Sequence, residues 1–595
     1  MRTADAALLM AGLASMIKML KMLLAFVAAP VFAGLPLKPL MVRDGELLNT
    51  DGTPVRLYGV NLFQSHLHWS RKQDPELYEP ELQAIAENGF NAVRMPLHMG
   101  WFEPKPGVFP DSPEYVNILK SHRLPTGAMA FYDGLIQRAG ELGIYVIPEF
   151  HELPSDPYRY FVGGWEQDRK TGKTGTAIGW MAQWDEKRKK HVPNTKLARR
   201  EVPKALGWLS SHWRDNPIVA GIEVPWNEPR GPLTEPKPFL ELVEACANAV
   251  KAADPGRLVF MDCVDWGAMV NRLPDESLWR IPEAVDGLFP HFYPGMHSGS
   301  SGPDGTWQAT MANWASWFGG AGKVVMVGEY GIVEMKRAKY WQGDRSAEEK
   351  ARTFGACVAQ WHEMGIQGLF CWAWQGGIPG SKTGKLTDGA EVLPRWAAPF
   401  KASRRVLAQA RLAVVCSKRQ RSQYGARRNL WRISDGLIQA GLTPFCTIFP
   451  EQIIARKDAL KRFTVVIALR KDLPADAVTA LDEVEKTILW LNEGLPELQE
   501  TIATARRLLG QSAAPSPVLI GRASGQATIF LRSPTAFNGP IVLAIPGCAR
   551  VGALRDHTGT VLWQGEGSRL LSQPIPLTLP PWSTTQLTWH AQAKP

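Results

Sequence analysis

From Leu47 to Tyr330 short apolar runs alternate with longer amphipathic stretches, and the alternation predicts strands and helices in turn, the rhythm of a parallel sheet. Strands are expected at 56–61, 92–95, 144–150, 218–226, 258–262, 287–292, 324–329 and 368–374. Helices are expected between them, at 80–88, 132–142, 239–253 and 347–364. Eight such strands are the number that closes a barrel, so the pattern reads as α/β, a (β/α)8 TIM barrel. Ahead of the first strand, 42–58 carries Asn49-Thr50-Asp51-Gly52 at its centre and predicts a hairpin laid under the barrel floor.

The longest interruption, 152–196, follows the third strand and is rich in Gly, Lys, Asp and Trp, the composition of a cleft-shaping loop rather than of a core element. Trp165, Trp180, Trp184, Trp208 and Trp213 cluster in and after it; they either pack the loop onto the barrel or offer indole faces to sugar rings. A closing helix is expected at 396–410, where the barrel ends. Beyond it, strand-like 412–416, 444–448 and 463–469 alternate with helical 433–440 and 476–492, a small α/β unit. From about residue 517 short alternating strands and turns, such as Ala527-Thr528-Ile529-Phe530-Leu531 and Gln586-Leu587-Thr588-Trp589, predict a β-sandwich. The organisation that follows is a barrel at 34–410, an α/β domain at 411–512 and a sandwich at 513–595.

Composition adds three points. With 45% hydrophobic and 21% charged residues in 595, the chain is an ordinary multi-domain globular protein, and disorder is not expected. Its net charge of +10 comes from residues 401–472, which hold 16 Lys/Arg against 4 Asp/Glu. That stretch is either a solvated or domain-contacting face, or a patch for a membrane surface; no nucleic-acid motif accompanies it. Seven scattered cysteines, mostly in apolar stretches, read as buried thiols, and no Cys or His spacing implies a metal. Near the N-terminus Lys18 and Lys21 precede the apolar run 22–33, which is too short to cross a bilayer and ends on small residues. It reads as a signal peptide cut after Ala33, with Met16 as the true start, and places the mature protein outside the cytoplasm or in a periplasm.

The chemistry lies where apolar strands run out. Gly221-Ile222-Glu223-Val224-Pro225-Trp226-Asn227-Glu228-Pro229 stops on Asn-Glu-Pro, and Lys323-Val324-Val325-Met326-Val327-Gly328-Glu329-Tyr330 repeats the plan. In a parallel barrel the open strand ends carry the active site, so Glu228 and Glu329 can face one another, as glycoside hydrolysis requires. The other expected strand ends supply Arg94 in Val93-Arg94-Met95-Pro96, His151 in Glu149-Phe150-His151, His291-Phe292-Tyr293, and Trp372.

Taken in order, these strand ends resemble glycoside hydrolase family 5, the cellulase-type branch of the retaining (β/α)8 glycosidases, over roughly residues 40–410. The resemblance implies Glu228 as general acid/base and Glu329 as nucleophile, with Tyr293 and Arg94 hydrogen-bonding the nucleophile. It implies Asn227 on the sugar 2-OH, His151 and His291 orienting substrate and carboxylates, and Trp372 under the reacting sugar, with Trp374 the alternative platform. A retaining enzyme holds its two carboxyl groups about 5–5.5 Å apart. The implied partner is a β-linked polysaccharide or oligosaccharide, and nothing in the set calls for a cofactor or a metal.

Two features depart from the commonest family pattern: Glu149 and Glu152 bracket His151, and Glu223 lies on the same strand face as Asn227, where a salt bridge inside the barrel accounts for it. The stretch 411–510 resembles the amidotransferase-like accessory domain of some β-galactosidases, and Leu579-Pro580-Pro581-Trp582-Ser583 resembles the last strand of their terminal sandwich. Cys446 lacks a nucleophile elbow, so this domain is expected to form oligomer contacts or to wall one end of the cleft. The first choice of activity is an endo-β-1,4-glucanase; a β-mannanase, an exo-acting β-glucosidase or a β-galactosidase stays open, because fold and acid/base pair do not choose the sugar. From another class, a carbohydrate-binding protein on a dead barrel would have lost Glu228 or Glu329, and both are present.

Overall fold

The structure is a computed structural model that describes residues 37–591 apart from 63–78, 122–125, 155–179, 186–189, 228, 230–235, 263–279, 293–312, 314, 332–357, 359–360, 375–377, 379, 387–389, 391–399, 401–404, 423, 485–486, 493–496, 511–517, 524–525, 534–536, 542–550, 557–558, 567–574 and 580–582. The expected signal peptide, Glu228, Tyr293, Trp165, and most of the cleft loop and of the helix at 347–364 lie outside the described residues.

Chain order gives β1 (Leu40–Arg43), β2 (Glu46–Asn49), β3 (Leu57–Asn61), β4 (Ala92–His98), β5 (Tyr145–Glu152), β6 (Ala182–Asp185) and β7 (Lys190–Pro193). They are followed by β8 (Ile222–Val224), β9 (Val259–Asp262), β10 (Gly287–Phe289), β11 (Val324–Gly331) and β12 (Gly368–Trp372). Eight of these form one parallel sheet in the order β5-β4-β3-β12-β11-β10-β9-β8. The sheet closes where Val146 N donates to Ile218 O at 2.8 Å and Ala220 N to Val146 O at 2.9 Å. All eight expected strands are therefore present and the barrel fold is confirmed. Helices Glu79–Glu87, Ala128–Glu141, Thr195–His212 and Pro236–Ala253 cover the outside.

The inside of the cylinder is a separate apolar plug. Phe260, Phe289 and Phe370 fill it, with centroids 5.6 Å apart for the first pair and 5.2 Å for the second, together with Leu57, Ala92, Ile147 and Met326. Three rings at one level fit because the facing strands carry glycine there: a Cβ on Gly59 would lie 2.6 Å from Phe370, and one on Gly221 2.4 Å from Phe260. Leu40 and Leu47 of the floor hairpin seal the lower end of the same cluster.

The hairpin itself turns one step earlier than expected. β1 and β2 pair antiparallel about Asp44-Gly45, both at positive φ (52° and 69°), the two-residue turn whose twist matches paired strands. Asn49–Gly52 makes a second turn, closed by Gly52 N donating to Asn49 O at 2.9 Å, that returns the chain toward β3.

Past the barrel, 407–409 is a single 3-10 turn rather than the end of a long helix. A four-stranded parallel sheet follows, ordered β14-β13-β15-β16, from β13 (Leu412–Val415), β14 (Cys446–Ile448), β15 (Val465–Leu469) and β16 (Thr487–Leu491). The helix expected over 476–492 stops at Asp482, and Thr-Ile-Leu-Trp-Leu becomes the edge strand β16. β-branched and aromatic residues favour a half-buried strand over a helix, and an available sheet edge beside β15 takes them up. The last stretch forms a five-stranded antiparallel sheet and a two-stranded one, as expected of a sandwich.

This α/β unit docks on the barrel's lower half. Ser316 Oγ lies 2.6 Å from Thr447 Oγ1, Ser434 Oγ donates to Asn313 Oδ1 at 2.5 Å, and Arg462 donates at 2.8 Å both to Gly319 O and to Ala408 O. A Cβ on Gly320 would lie 2.6 Å from Thr447 O, so only glycine allows the helix that feeds β11 to come this close. These contacts run to the helix entering β11 and to the floor. Cys246, Cys371, Cys416 and Cys446 are buried free thiols. No described helix is long and apolar enough to cross a membrane.

Candidate active site

Directly above the phenylalanine plug, Arg94 on β4 gathers side chains from β3, β5, β8 and β11. Its Nε and Nη2 donate to the two oxygens of Glu223 at 2.6 Å each. Nη1 donates to Glu329 Oε1 at 2.8 Å and to Asn61 Oδ1 at 2.9 Å, and Nη2 also donates to Asn227 Oδ1 at 3.0 Å. All five guanidinium N–H groups are thereby used, a geometry that lysine's point charge cannot reproduce. Burial disfavours charge on Arg94, but Glu149, Glu223 and Glu329 around it prevail and hold its pKa above the usual guanidinium value.

Glu329 is the sixth residue of an eight-residue strand buried along its whole length and is 3% exposed. Its second oxygen, Oε2, faces His291 Nδ1 at 3.5 Å. His291 Nε2 lies 3.4 Å from Asp262 Oδ1. Burial pushes the His291 pKa down to about 3, with Arg94 and His151 adding to the effect and Glu329 opposing it, so the ring is neutral at ordinary pH. On the other side of Arg94, Asn227 Nδ2 lies 3.3 Å from His151 Nε2, and His151 Nδ1 lies 2.8 Å from Glu149 Oε1. Trp372 stacks on His151, ring centroids 5.3 Å apart and planes 15° off parallel.

Arg94, His151, Asn227, His291, Glu329 and Trp372 thus converge at one mouth of the barrel, and Glu228 and Tyr293 lie outside the described residues. Trp374 is a correction. It is fully buried, edge-on to Phe90 at 6.2 Å, and faces the core. Strand β12 ends at Trp372, so the two-residue alternation that would carry Trp374 to the same side does not continue. Glu223 makes the salt bridge expected of it. Two further polar residues belong to the site, Asn61 and Asp262. Each is the first polar residue after a buried apolar run, Val60-Asn61 and Met261-Asp262, the same signal that marks Glu329.

The tryptophans near the cleft loop divide by role. Trp213 is buried, Trp180 Nε1 donates to Glu103 O at 2.9 Å, and Trp208 is stacked on both Phe109 and His212. These three serve packing. Trp165 and the side chain of Trp184 lie outside the described set.

Glu223, Asp262 and His291 bring one ligand atom each within 4.8 Å of one another. Both Glu223 oxygens are already held by the guanidinium, so a cation there would sit against Arg94, and the trio reads as charge balance rather than a metal site.

An eight-stranded parallel barrel whose open end presents a carboxylate locked to an arginine, beside a stacked tryptophan, defines an enzyme of the (β/α)8 hydrolase class. The chain belongs to the Cellulase family (glycosyl hydrolase family 5), whose profile matches residues 48–376, and it is a glycoside hydrolase. Among solved structures it is similar to the exo-beta-1,4-mannosidase Op5Man5 from Opitutaceae bacterium strain TAV5, at 16% identity and TM-score 0.50 over 81% of this chain and 86% of that one. It is also similar to a beta-galactosidase from Rahnella sp. R3, at 12% identity and TM-score 0.56 over 90% of this chain and 98% of that one. A GH42 beta-galactosidase from G. stearothermophilus aligns over the same shares at 9% identity and TM-score 0.56. At these identities the likeness is one of fold, and it extends past the barrel. No protein of curated function matches the sequence.

Proposed function

We propose that the protein is an exported retaining β-glycosidase that works by double displacement, with Glu329 as nucleophile and Glu228 as acid/base. The observation that carries this reading is the buried Glu329 on β11, one oxygen bound by Arg94 and the other turned to a neutral His291, above an apolar plug. An ionised carboxylate held this rigidly attacks an anomeric carbon without paying to orient itself first. Asn227, fixed by the same arginine, hydrogen-bonds the 2-OH as the oxocarbenium-like transition state forms, and the Trp372 face supports the sugar.

The family name supports a β-1,4-glucan as substrate, cleaved internally. A second reading, exo action on a β-mannoside or action on a β-galactoside, is supported by the extent of the alignments to enzymes so described, which cover 81% and 90% of this chain and so run past the barrel. We further propose domain limits near 410 and 512 and removal of residues 1–33 on export. Trapping with a 2-deoxy-2-fluoro aryl β-glycoside and peptide mass spectrometry tests the mechanism: the ester is expected on Glu329, and a label elsewhere overturns the assignment. Product profiles on cellulose, mannan and nitrophenyl glycosides separate the two substrate readings. N-terminal sequencing of the exported protein tests the cleavage site.

A further inference from the structure

We propose that Glu149 is a positioning residue that holds His151 in the Nδ1–H tautomer which the Asn227 amide, its direction set by Arg94 beside Glu329, requires. The argument is one of donors and acceptors. A guanidinium only donates, so the Asn227 end that meets Arg94 Nη2 at 3.0 Å is its carbonyl Oδ1. The amide NH2 therefore faces the other way, toward His151 Nε2 at 3.3 Å. An NH2 group only donates as well, so Nε2 receives that hydrogen bond with its lone pair, and the single ring proton sits on Nδ1. Glu149 Oε1, 2.8 Å from Nδ1, accepts it.

The chain of contacts then closes on itself, because the same Glu149 oxygen lies 3.6 Å from Arg94 Nη1. Arg94, Asn227, His151 and Glu149 form a ring in which three side-chain neighbours are matched donor to acceptor and the fourth link, Glu149 to Arg94, is an ion pair. Moving the imidazole proton to Nε2 would set N–H against NH2 and leave Glu149 facing a lone pair. Turning the amide over would set NH2 against the guanidinium. The stacked Trp372 keeps the imidazole in the plane the ring requires. Glu149 is 1% exposed, so it acts through His151 and Asn227 rather than on the sugar. Glu152, which also brackets His151 in sequence, has no part in the ring.

The kinetic half of this inference rests on the glycosidase reading of the site, whereas the tautomer half does not. The test uses full-length enzyme with 15N-labelled histidine. Long-range proton–nitrogen spectra read the His151 tautomer, and His151→Gln assigns the signal. Wild type is expected to show a protonated Nδ1 and a bare Nε2. Glu149→Gln keeps its carbonyl oxygen toward His151, because Nδ1–H donates there and the Arg94 cation disfavours an NH2 beside it; it is expected to keep the tautomer and to hold kcat within about tenfold. Glu149→Leu leaves Nδ1–H without its acceptor and is expected to give a mixed tautomer signal, as the imidazole leaves the ring, and to lower kcat roughly 100-fold with KM little changed. An Nε2–H tautomer in wild type, or a Glu149→Leu enzyme with unchanged tautomer and kcat, overturns the proposal. Should Glu149→Leu fail to fold, wild type and Glu149→Gln still decide it. A fluoro-sugar ester found away from Glu329 would remove the nucleophile assignment while leaving the tautomer result standing.

Discussion

β11 of the barrel and β15 of the α/β unit are alike along their lengths, Val324–Gly331 and Val465–Leu469, every residue buried between helices on a parallel sheet. They differ in what their ends meet. The apolar run of β11 stops on Glu329 against Arg94 from β4, whereas β15 runs out on Arg470, which pairs with Asp482 at 3.0 Å and lies over the Trp490 ring at 4.1 Å. Both partners of Arg470 are close in sequence, and its ion pair is exposed. Closure makes the difference. In a barrel the strand ends circle one axis, so residues more than 200 positions apart project into a common volume; in an open sheet of four strands the ends lie side by side and each meets its neighbours or water. The apolar plug then gives the barrel's mouth a low dielectric, in which one arginine organises several carboxylates.

That contrast can be broken at its centre. Glu329→Gln is expected to lower kcat by roughly three orders of magnitude or more while the melting curve stays close to wild type, since Gln fills the same space. A stable Glu329→Gln enzyme with full activity would remove the barrel's mouth from the chemistry. Arg94→Met strips the counter-charge from Glu149, Glu223 and Glu329 together, and a loss of about 3–5 kcal/mol in urea unfolding accompanies loss of activity. Arg94→Lys should not restore either, because one ammonium cannot serve five directions.

Ile467→Ala in β15 sharpens the other side. A loss of about 2–5 kcal/mol is expected from the cavity, with kcat/KM of the folded fraction unchanged. A fall in kcat/KM without unfolding would show that the α/β unit reaches the site after all.

Two titrations test smaller contributions. His362 is 3% exposed, neither ring nitrogen has a hydrogen-bond partner among the described residues, and burial, aided by Arg405 and Arg56, pushes its pKa down to about 3. The unfolded chain, with a pKa near 6.5, binds the proton first as pH falls. Stability from keeping His362 neutral is therefore complete above about pH 6.5 and is lost toward pH 3, with a slope of up to about 1.4 kcal/mol per pH unit. Chemical unfolding of His362→Leu between pH 7 and 5 should show a shallower decline than wild type. Glu103 has the opposite sign: burial, with nearby Glu201, raises its pKa to about 8, although the Gly107 N–H it accepts at 2.7 Å opposes the shift. Its folded form holds a proton that the unfolded chain releases above about pH 4.5, so its contribution falls as pH rises from there to 8. Glu103→Gln should raise Tm by a few degrees at pH 8 and hardly at pH 5, a small gain against the losses above.

The sequence by itself determined the barrel and most of its site. Uninterrupted apolar runs can only be buried strands, and a polar residue at the end of such a run has nowhere to go but the open face; Arg94, Asn227, His291 and Glu329 were legible for that reason. It also determined the α/β and sandwich units that follow, up to the identity of single elements. The tertiary structure alone decided the rest. Asp44-Gly45, not Asn49–Gly52, turns the floor hairpin, because the residues that fit the plug are Leu40 and Leu47. Thr487–Leu491 became a strand because an edge was vacant beside β15. Trp374 went into the core and Trp372 onto His151, since one residue past the end of a strand the rule of alternation lapses. Above all, no spacing along the chain announces that Glu149, His151, Asn227 and Arg94 close a ring: hydrogen-bond direction is a property of atoms brought within 4 Å, and only the closed barrel brings them there.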